Sequence, residues 1–132
     1  MLTPSTKAVG ILALLTLFTD ARSSDLERAL QDTVTHINKT SPRPIGNDAS
    51  LVGAVAYEKT LKYKFTFHKL TKEEISSQFA LKQTEFLTDF VCTSPEMKVF
   101  VDSGVTLKYA YYDKHGQVVV IITVDTRTCG LE

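Results

Sequence analysis

The sequence predicts an α+β fold in the order α-β-β-α-β-β, with a four-stranded, mainly antiparallel sheet that two amphipathic helices cover. Three features predict it: two pairs of strand-like stretches separated by turn residues, two stretches with apolar residues at helical spacing, and two cysteines in the last third of the chain. Hydrophobic residues make up 43% of the 132 residues, and we expect one domain over 22–132. The order of the strands in the sheet stays open.

The first 21 residues have the pattern of a signal peptide. A polar segment that ends at Lys7 precedes an apolar run over 8–18, and small residues around Ala21 offer a cleavage site. The run is too short for an ordinary membrane span. We therefore expect export, cleavage near Ala21 and no stable membrane span in the mature chain, with an uncleaved anchor or a helix packed on the domain as the alternatives.

The charge and the cysteine content of the chain indicate which binding partners and which cellular compartment to expect. Fifteen basic residues balance fifteen acidic ones, so no global field attracts nucleic acid, and we expect none as a partner. Cys92 and Cys129 are the only cysteines in the sequence, and in an exported chain they predict one disulfide. They lack the C-x-x-C spacing of a redox-active pair, so we expect a structural bridge.

The first helix is marked at both ends. Ser24 and Glu27 form a capping box, in which each side chain bonds a free backbone N–H of the first turn. Two prolines within 41–47 predict an irregular connection after the helix. Between these signals, apolar residues recur at helical spacing to about Asn38, namely Leu26, Ala29, Leu30, Val34 and Ile37.

A first hairpin is predicted next. Leu51–Tyr57 is a short strand candidate, and Thr60–His68 alternates apolar residues on one face with polar residues on the other. Little more than Glu58 and Lys59 separates the two stretches, so we expect them to pair as a hairpin.

The next helix has two start signals. Thr71 and Glu74 form a capping box, and Leu70 can pack on Ile75 as a hydrophobic staple. We expect this helix to begin there and to run to about Val91. A Ser-Pro pair at 94 and 95 then predicts a further short turn of helix.

The last hairpin has the strongest strand pattern. Val105–Tyr112 alternates, Asp113–Gly116 has turn chemistry, and the second strand, Gln117–Asp125, contains an almost unbroken run of β-branched residues over Val118–Val124. Because that run is apolar at both parities, it predicts a central strand that is covered on both faces.

The sequence contains no recognisable catalytic or metal-binding motif. His36, His68 and His115 are scattered, and neither a nucleophile elbow nor a phosphate-binding loop is present. We therefore expect no catalytic residue, metal or cofactor, although an enzyme assembled from distant residues stays as an alternative. The tripeptide over 38–40 matches the N-glycosylation pattern, which matters only in a eukaryotic secretory pathway.

Three tyrosines form the candidate protein-binding site. Tyr109, Tyr111 and Tyr112 lie on one predicted strand, and successive residues 111 and 112 point to opposite faces of a sheet. At least one ring should therefore be partly exposed, and exposed tyrosines supply amphipathic contact area. Core aromatics with solvated hydroxyls are the alternative, and on general grounds the commoner arrangement.

The last third of the chain resembles two groups of small proteobacterial periplasmic proteins. One is the family of quorum-sensing-regulated virulence factors, which is similar in its plain leader, its C-x-x-P step, the Gly-Val before an aromatic strand and the closing Cys. The other is the AspS/GspS-β class of type II secretion pilotins, which is similar in a C-x-x-P-x-x-K segment and a D-x-x-T-C-G ending. The residues that carry the resemblance are 90–98 (FVCTSPEMK), 102–105 (DSGV), 109–116 (YAYYDKHG) and 125–130 (DTRTCG).

The two resemblances imply different modes of anchoring. Pilotins of this class are lipoproteins, and the leader here has no cysteine that could accept lipid, so the first family fits better. It implies a soluble bacterial protein of the periplasm or the exterior, linked to virulence. We therefore expect a non-enzymatic protein-binding or secretion accessory factor, with a secretion-system component as the candidate partner. A pilotin-like secretin chaperone and a carrier of a small molecule or lipid are the alternatives, and the oligomeric state stays open.

Overall fold

The computed structural model describes residues 25–130. Within this range the chain forms three α-helices, five strands and short 3-10 turns. They are α1 (25–39), β1 (Arg43–Ile45), β2 (Ala49–Tyr57), β3 (Thr60–Phe67), α2 (Ser77–Thr93), α3 (Lys98–Asp102), β4 (Thr106–Tyr112) and β5 (Val118–Asp125). The predicted leader over 1–21 and the predicted helix cap Ser24 lie outside the described residues.

The strands form one mixed sheet in the order β1-β2-β3-β4-β5. Neighbouring strands pair antiparallel except β3 and β4, which are parallel. A parallel pair needs a crossover of a dozen or more residues, and the segment that contains α2 and α3 supplies it. The α+β class, the mainly antiparallel pairing and both hairpins are confirmed, whereas the expected count of four strands is one too few.

The additional strand is β1, which lies in the segment where two prolines predict an irregular connection. Its backbone pairs with β2 from Arg43 opposite Leu51 to Ile45 opposite Ala49. Pro44 cannot donate to a strand ladder, but proline is accepted at the edge of a sheet, and β1 is an edge strand.

The opposite edge of the sheet is β5, which corrects the prediction that this strand is central and covered on both faces. Ile122 and Val124 face the helices and are buried, whereas Val118 and Ile121 are exposed. The apolar residues at both parities therefore mark an exposed apolar surface rather than a second covering layer.

The second helix begins later than predicted. The Glu74 carboxylate accepts hydrogen bonds from the backbone N–H of Thr71 at 2.9 Å and from its hydroxyl at 3.0 Å. These contacts organise only a single 3-10 turn, because Ile75 is extended and interrupts the helix. The α-helix starts after Ser76, whose hydroxyl accepts a hydrogen bond from the backbone N–H of Gln78.

The core lies between the helices and one face of the sheet. Leu61 on β3 and Leu107 on β4 are fully buried, as are Leu30 on α1 and Val91 on α2, so the predicted apolar helix stripes contribute to the core. No described helix covers the other face, which we call the open face. Side chains of β3 and β4 belong to this buried core, and both strands lie inside the sheet rather than at its edges.

The disulfide is confirmed. Cys92 at the end of α2 and Cys129 beyond β5 are bonded, with Cα atoms 5.3 Å apart. The bridge connects the helical layer to the segment that follows an edge strand of the sheet. Apart from this bond, the two parts are held together by packing in the core.

A side chain at the end of α1 bonds to the part of the β2 backbone that does not pair with β1. Asn38 accepts a hydrogen bond from the backbone N–H of Ala54 at 2.8 Å and donates to its carbonyl at 3.1 Å. Gly53 makes this approach feasible, since a Cβ there would lie 3.1 Å from the Asn38 Oδ1. The asparagine of the glycosylation pattern therefore serves the fold through both hydrogen bonds.

Asp113 connects the β4–β5 turn to the segment before α2. Its buried carboxylate accepts hydrogen bonds of 2.8 Å from the backbone N–H groups of Lys72, His115 and Gln117. Burial alone would raise the pKa of Asp113, but these three bonds and the charge of His115 outweigh it, so the pKa lies below its ordinary value of 3.8.

We expect the stabilising effect of Asp113 to disappear in acid. Because the folded pKa is depressed, the contribution is present above the unfolded pKa and is lost as pH falls through the folded pKa. Urea unfolding of wild type and Asp113→Asn should therefore differ at pH 7, with wild type more stable, and the difference should shrink below about pH 4. A difference that stays constant down to pH 2 would contradict the ionised role.

Candidate functional site: a groove between the helices

A groove of about 530 Å³ runs over the helix-covered face of the sheet, and we call it the inner groove. One wall is formed by α1 and β1, and the other by the end of α2 together with α3. The floor is formed by side chains of β2, β3 and β4. The residues that line the groove include Arg43, Ile45, Tyr63, Phe65, Phe90, Glu96, Val99 and Tyr109.

The floor is an aromatic cluster that follows from the parallel pairing of β3 and β4. Tyr63 is in register with Tyr109, and Phe65 with Tyr111. The rings of the first pair stack with centroids 4.9 Å apart, and those of the second pair with centroids 4.8 Å apart. Such pairs contribute about 0.5–1.5 kcal/mol beyond the burial of their area, so they stabilise the floor.

Two tyrosine hydroxyls give the apolar floor hydrogen-bonding capacity. Tyr63 and Tyr109 both line the groove. Burial, with the negative charge of Glu96, raises the pKa of Tyr63 to about 12. Burial, with Tyr63 and Tyr111 nearby, also raises the pKa of Tyr109. Both hydroxyls therefore stay protonated and can donate to an oxygen of a ligand.

The walls of the inner groove expose apolar side chains. Val99 on α3 is 52% exposed and Ile45 on β1 is 46% exposed. Phe90 on α2 lines the groove and stacks on the exposed Phe86 with centroids 6.4 Å apart. The groove is therefore open along its walls, and it can accept the apolar face of a helix more readily than it can enclose a small molecule.

The three predicted binding tyrosines lie in three different environments. Tyr109 lies in the floor of the inner groove, and Tyr112 lies on the open face, beneath the ammonium of Lys64. Tyr111 is buried behind the groove, where its hydroxyl accepts a hydrogen bond from the Gln83 side chain at 2.9 Å. Tyr109 and Tyr111 are each only 5% exposed, because α2 and α3 cover their face of the sheet. The three residues therefore do not form one exposed surface.

Residues that sequence reasoning did not select form the groove walls. Ile45 follows two prolines, and Val99 follows the predicted Ser-Pro helix start. Neither belongs to an apolar stripe that the core requires. An apolar residue outside every predicted stripe is the signal that the sequence offers, but this signal does not show that Ile45 and Val99 line the same groove.

One pair of side chains has the composition of a nucleophile and a base. The Ser50 hydroxyl lies 2.8 Å from the His68 Nε2. Ser50 is buried on β2, and no carboxylate of residues 25–130 bonds the second ring nitrogen of His68. The pair lacks the orienting group that a catalytic triad has, and it is explained as a bond between neighbouring strands.

Metal ligation and membrane insertion can be assessed for the described range. No group of three or more His, Cys, Asp or Glu side chains within 25–130 could hold a metal ion. Over the same range, the helices are all too short or too polar to traverse a bilayer.

No protein-family model matches the chain, and no curated protein is detectably similar to it in sequence. Three solved structures nevertheless superpose on it. A Pseudomonas aeruginosa protein inferred to be secreted is 20% identical, with a TM-score of 0.70 over 81% of this chain and 95% of that one. The chain therefore has the fold of that protein.

Two pilotins share the same fold. The Vibrio cholerae type II secretion system pilotin AspS is 14% identical, with a TM-score of 0.64 over 84% of this chain and 98% of that one. The Vibrio vulnificus type 2 secretion system pilotin EpsS is 10% identical, with a TM-score of 0.68 over 83% of this chain and 96% of that one. The resemblance seen in the last third of the sequence is confirmed as a shared fold, which extends over more than four-fifths of the chain.

Proposed function

We propose that this protein is an exported, non-enzymatic accessory factor that binds a helical segment of a partner protein in the inner groove. The observation that carries the proposal is the groove itself, which has a floor of stacked aromatic rings and half-exposed apolar walls. An amphipathic helix presents apolar residues at i, i+3, i+4 and i+7 and suits such a groove. Arg43 and Glu96, which also line it, add one charge of each sign for orientation.

The fold supports an extracytoplasmic role in secretion. It is the fold of a protein inferred to be secreted and of two type II secretion pilotins. The predicted leader over 1–21 agrees with export, as does the disulfide, since such bonds persist in oxidising compartments. We propose a periplasmic or secreted location and a secretion-system component as the partner.

A pilotin-like chaperone of a secretin is the second candidate, and the shared fold favours it. We expect the predicted leader over 1–21 to be removed without lipidation, because it contains no cysteine. A carrier of a small molecule would use the same groove, whose volume falls in the range of ligand pockets. The exposure of Ile45 and Val99 favours a protein, since a carrier encloses its ligand.

The proposal predicts that a charge in the groove wall weakens partner binding. We expect Val99→Glu to weaken capture of a specific envelope protein roughly 30-fold, since an apolar anchor at an interface is worth about 2 kcal/mol or more. Leu81→Glu on α2 is the matched control, because Leu81 is 59% exposed and does not line the groove. Quantitative pull-downs from the native envelope, probed also for the type II secretin, compare the variants after thermal melts show equal folding.

Each outcome of this comparison is informative. Recovery of the secretin by wild type and Leu81→Glu, but not by Val99→Glu, supports the pilotin-like candidate, and recovery of another protein in that pattern supports the accessory factor. Equal capture by all three proteins would rule out the groove. Native mass spectrometry that finds a metabolite bound to wild type, without any captured protein, would favour the carrier.

A further inference from the structure

The open face of the sheet places lysines at its centre. Strand register aligns its residues in rows across β2, β3, β4 and β5. In one row Lys62 and Lys108 are neighbours between Val55 and Thr123. The next row contains Lys64 beside Ala110, and the third contains Tyr112. The rows are Val55-Lys62-Lys108-Thr123, Gly53-Lys64-Ala110-Ile121 and Ser50-Thr66-Tyr112-Val118.

The three lysines have no acidic partner among residues 25–130. No salt bridge in this range involves Lys62, Lys64 or Lys108, and Asp125 at the end of the face is bound by Arg127 at 2.8 Å. Like charges side by side on neighbouring strands destabilise a sheet. The helices on the other side of the sheet carry more acidic than basic residues. The open face is therefore basic, although the whole chain has no net charge.

Exposed apolar side chains flank the lysines on both sides. Val55 on β2 is 53% exposed, and Ile121 on β5 is 43% exposed. Tyr112 lies 4.9 Å from the ammonium of Lys64, measured to the ring centroid. Next to Gly53 lies a shallow depression of about 350 Å³, which is lined by Val55, Lys62, Lys64 and Tyr112 among others. Lysines interleaved with aliphatic and aromatic residues are typical of surfaces that bind at a membrane interface.

We propose that the open face docks on the surface of an anionic phospholipid bilayer, with Lys62, Lys64 and Lys108 against the phosphates. Charge complementarity selects a negative partner, and the exposed Val55 and Ile121 can enter the boundary between headgroups and acyl chains. A peptide is a poorer fit, because the backbone of the central strands β3 and β4 is already paired on both sides. The inner groove faces away from this surface, so both can be occupied together.

The test is binding to vesicles of defined composition. We expect the protein, recovered in its processed form from the envelope, to co-sediment with phosphatidylglycerol-containing vesicles and not with pure phosphatidylcholine, and to dissociate as salt is raised. Lys62→Gln with Lys108→Gln should weaken the partition roughly 30-fold, since each lysine near an anionic surface contributes about 1 kcal/mol. Lys82→Gln with Lys98→Gln removes the same charge from the helical side and should leave binding unchanged.

Lys62→Arg with Lys108→Arg keeps the charge and should retain binding, which separates loss of charge from loss of folding. The proposal is wrong if wild type does not bind the anionic vesicles at low salt, or if both Gln pairs weaken binding equally. Equal binding to phosphatidylcholine would exclude recognition of charge. Binding to soluble poly-glutamate but not to vesicles would assign the face to an acidic protein instead.

Discussion

Replacing both Cys92 and Cys129 with alanine should lower the free energy of unfolding by about 4 kcal/mol, the largest effect that we expect from any change in this protein. The two residues are 37 positions apart, and the bond between them restricts the unfolded chain over that loop. In the folded state the bridge connects the end of α2 to the segment after β5.

Urea unfolding of wild type, the double variant and reduced wild type measures this effect. Reduced wild type should coincide with the double variant, because both lack the same constraint. A loss below about 1 kcal/mol would contradict the structural role of the bridge.

The intact mass of oxidised protein from the periplasm also tests cleavage near Ala21 without lipidation, and a retained Met1 would favour an uncleaved anchor.

Leu107→Ala should lower the free energy of unfolding by about 3 kcal/mol, within the range of about 2–5 kcal/mol for such truncations. Leu107 is fully buried on β4, where it is in register with Leu61 on β3 and Val124 on β5. Three strands therefore line the cavity that the truncation leaves, and paired strands cannot close over it freely.

Leu81→Ala is the matched control for this prediction. It removes the same atoms from a side chain that is mostly exposed on α2, so it should change stability by less than about 0.5 kcal/mol. Chemical unfolding of both variants measures the difference. Equal losses would show that the centre of the sheet is not the energetic core of the fold.

The hairpins and the disulfide could be predicted because their signals are local or exclusive. Asp113 and Gly116 mark a turn by their own chemistry, and two cysteines have only one pairing. The parallel contact between β3 and β4 has no such signal, since it joins Thr60 to Thr106 across the whole helical segment. Alternation showed which residues share a face, but the helices decide which face is covered.

The candidate site depended most on these long-range relations. The sequence correctly separates Tyr111 from Tyr112 onto opposite faces, yet it could not place Tyr109 and Tyr111 beneath the helices. The groove could not be predicted either, because Ile45 and Val99 line the same groove only after the sheet and the crossover segment have packed. The edge position of β5 could not be predicted for a similar reason, because a strand with apolar residues at both parities fits a central strand and an exposed edge equally well.

Site-specific photocrosslinking in the native envelope is the most direct test of the claim that a helix of a partner protein binds in the inner groove. A photoreactive amino acid at position 99 should form covalent adducts with one partner protein, and mass spectrometry should map them to residues with helical spacing. The same amino acid at position 81, also exposed on a helix but outside the groove, should give no such adduct. Adducts of equal yield from both positions, or none from position 99, would contradict a protein partner in the inner groove.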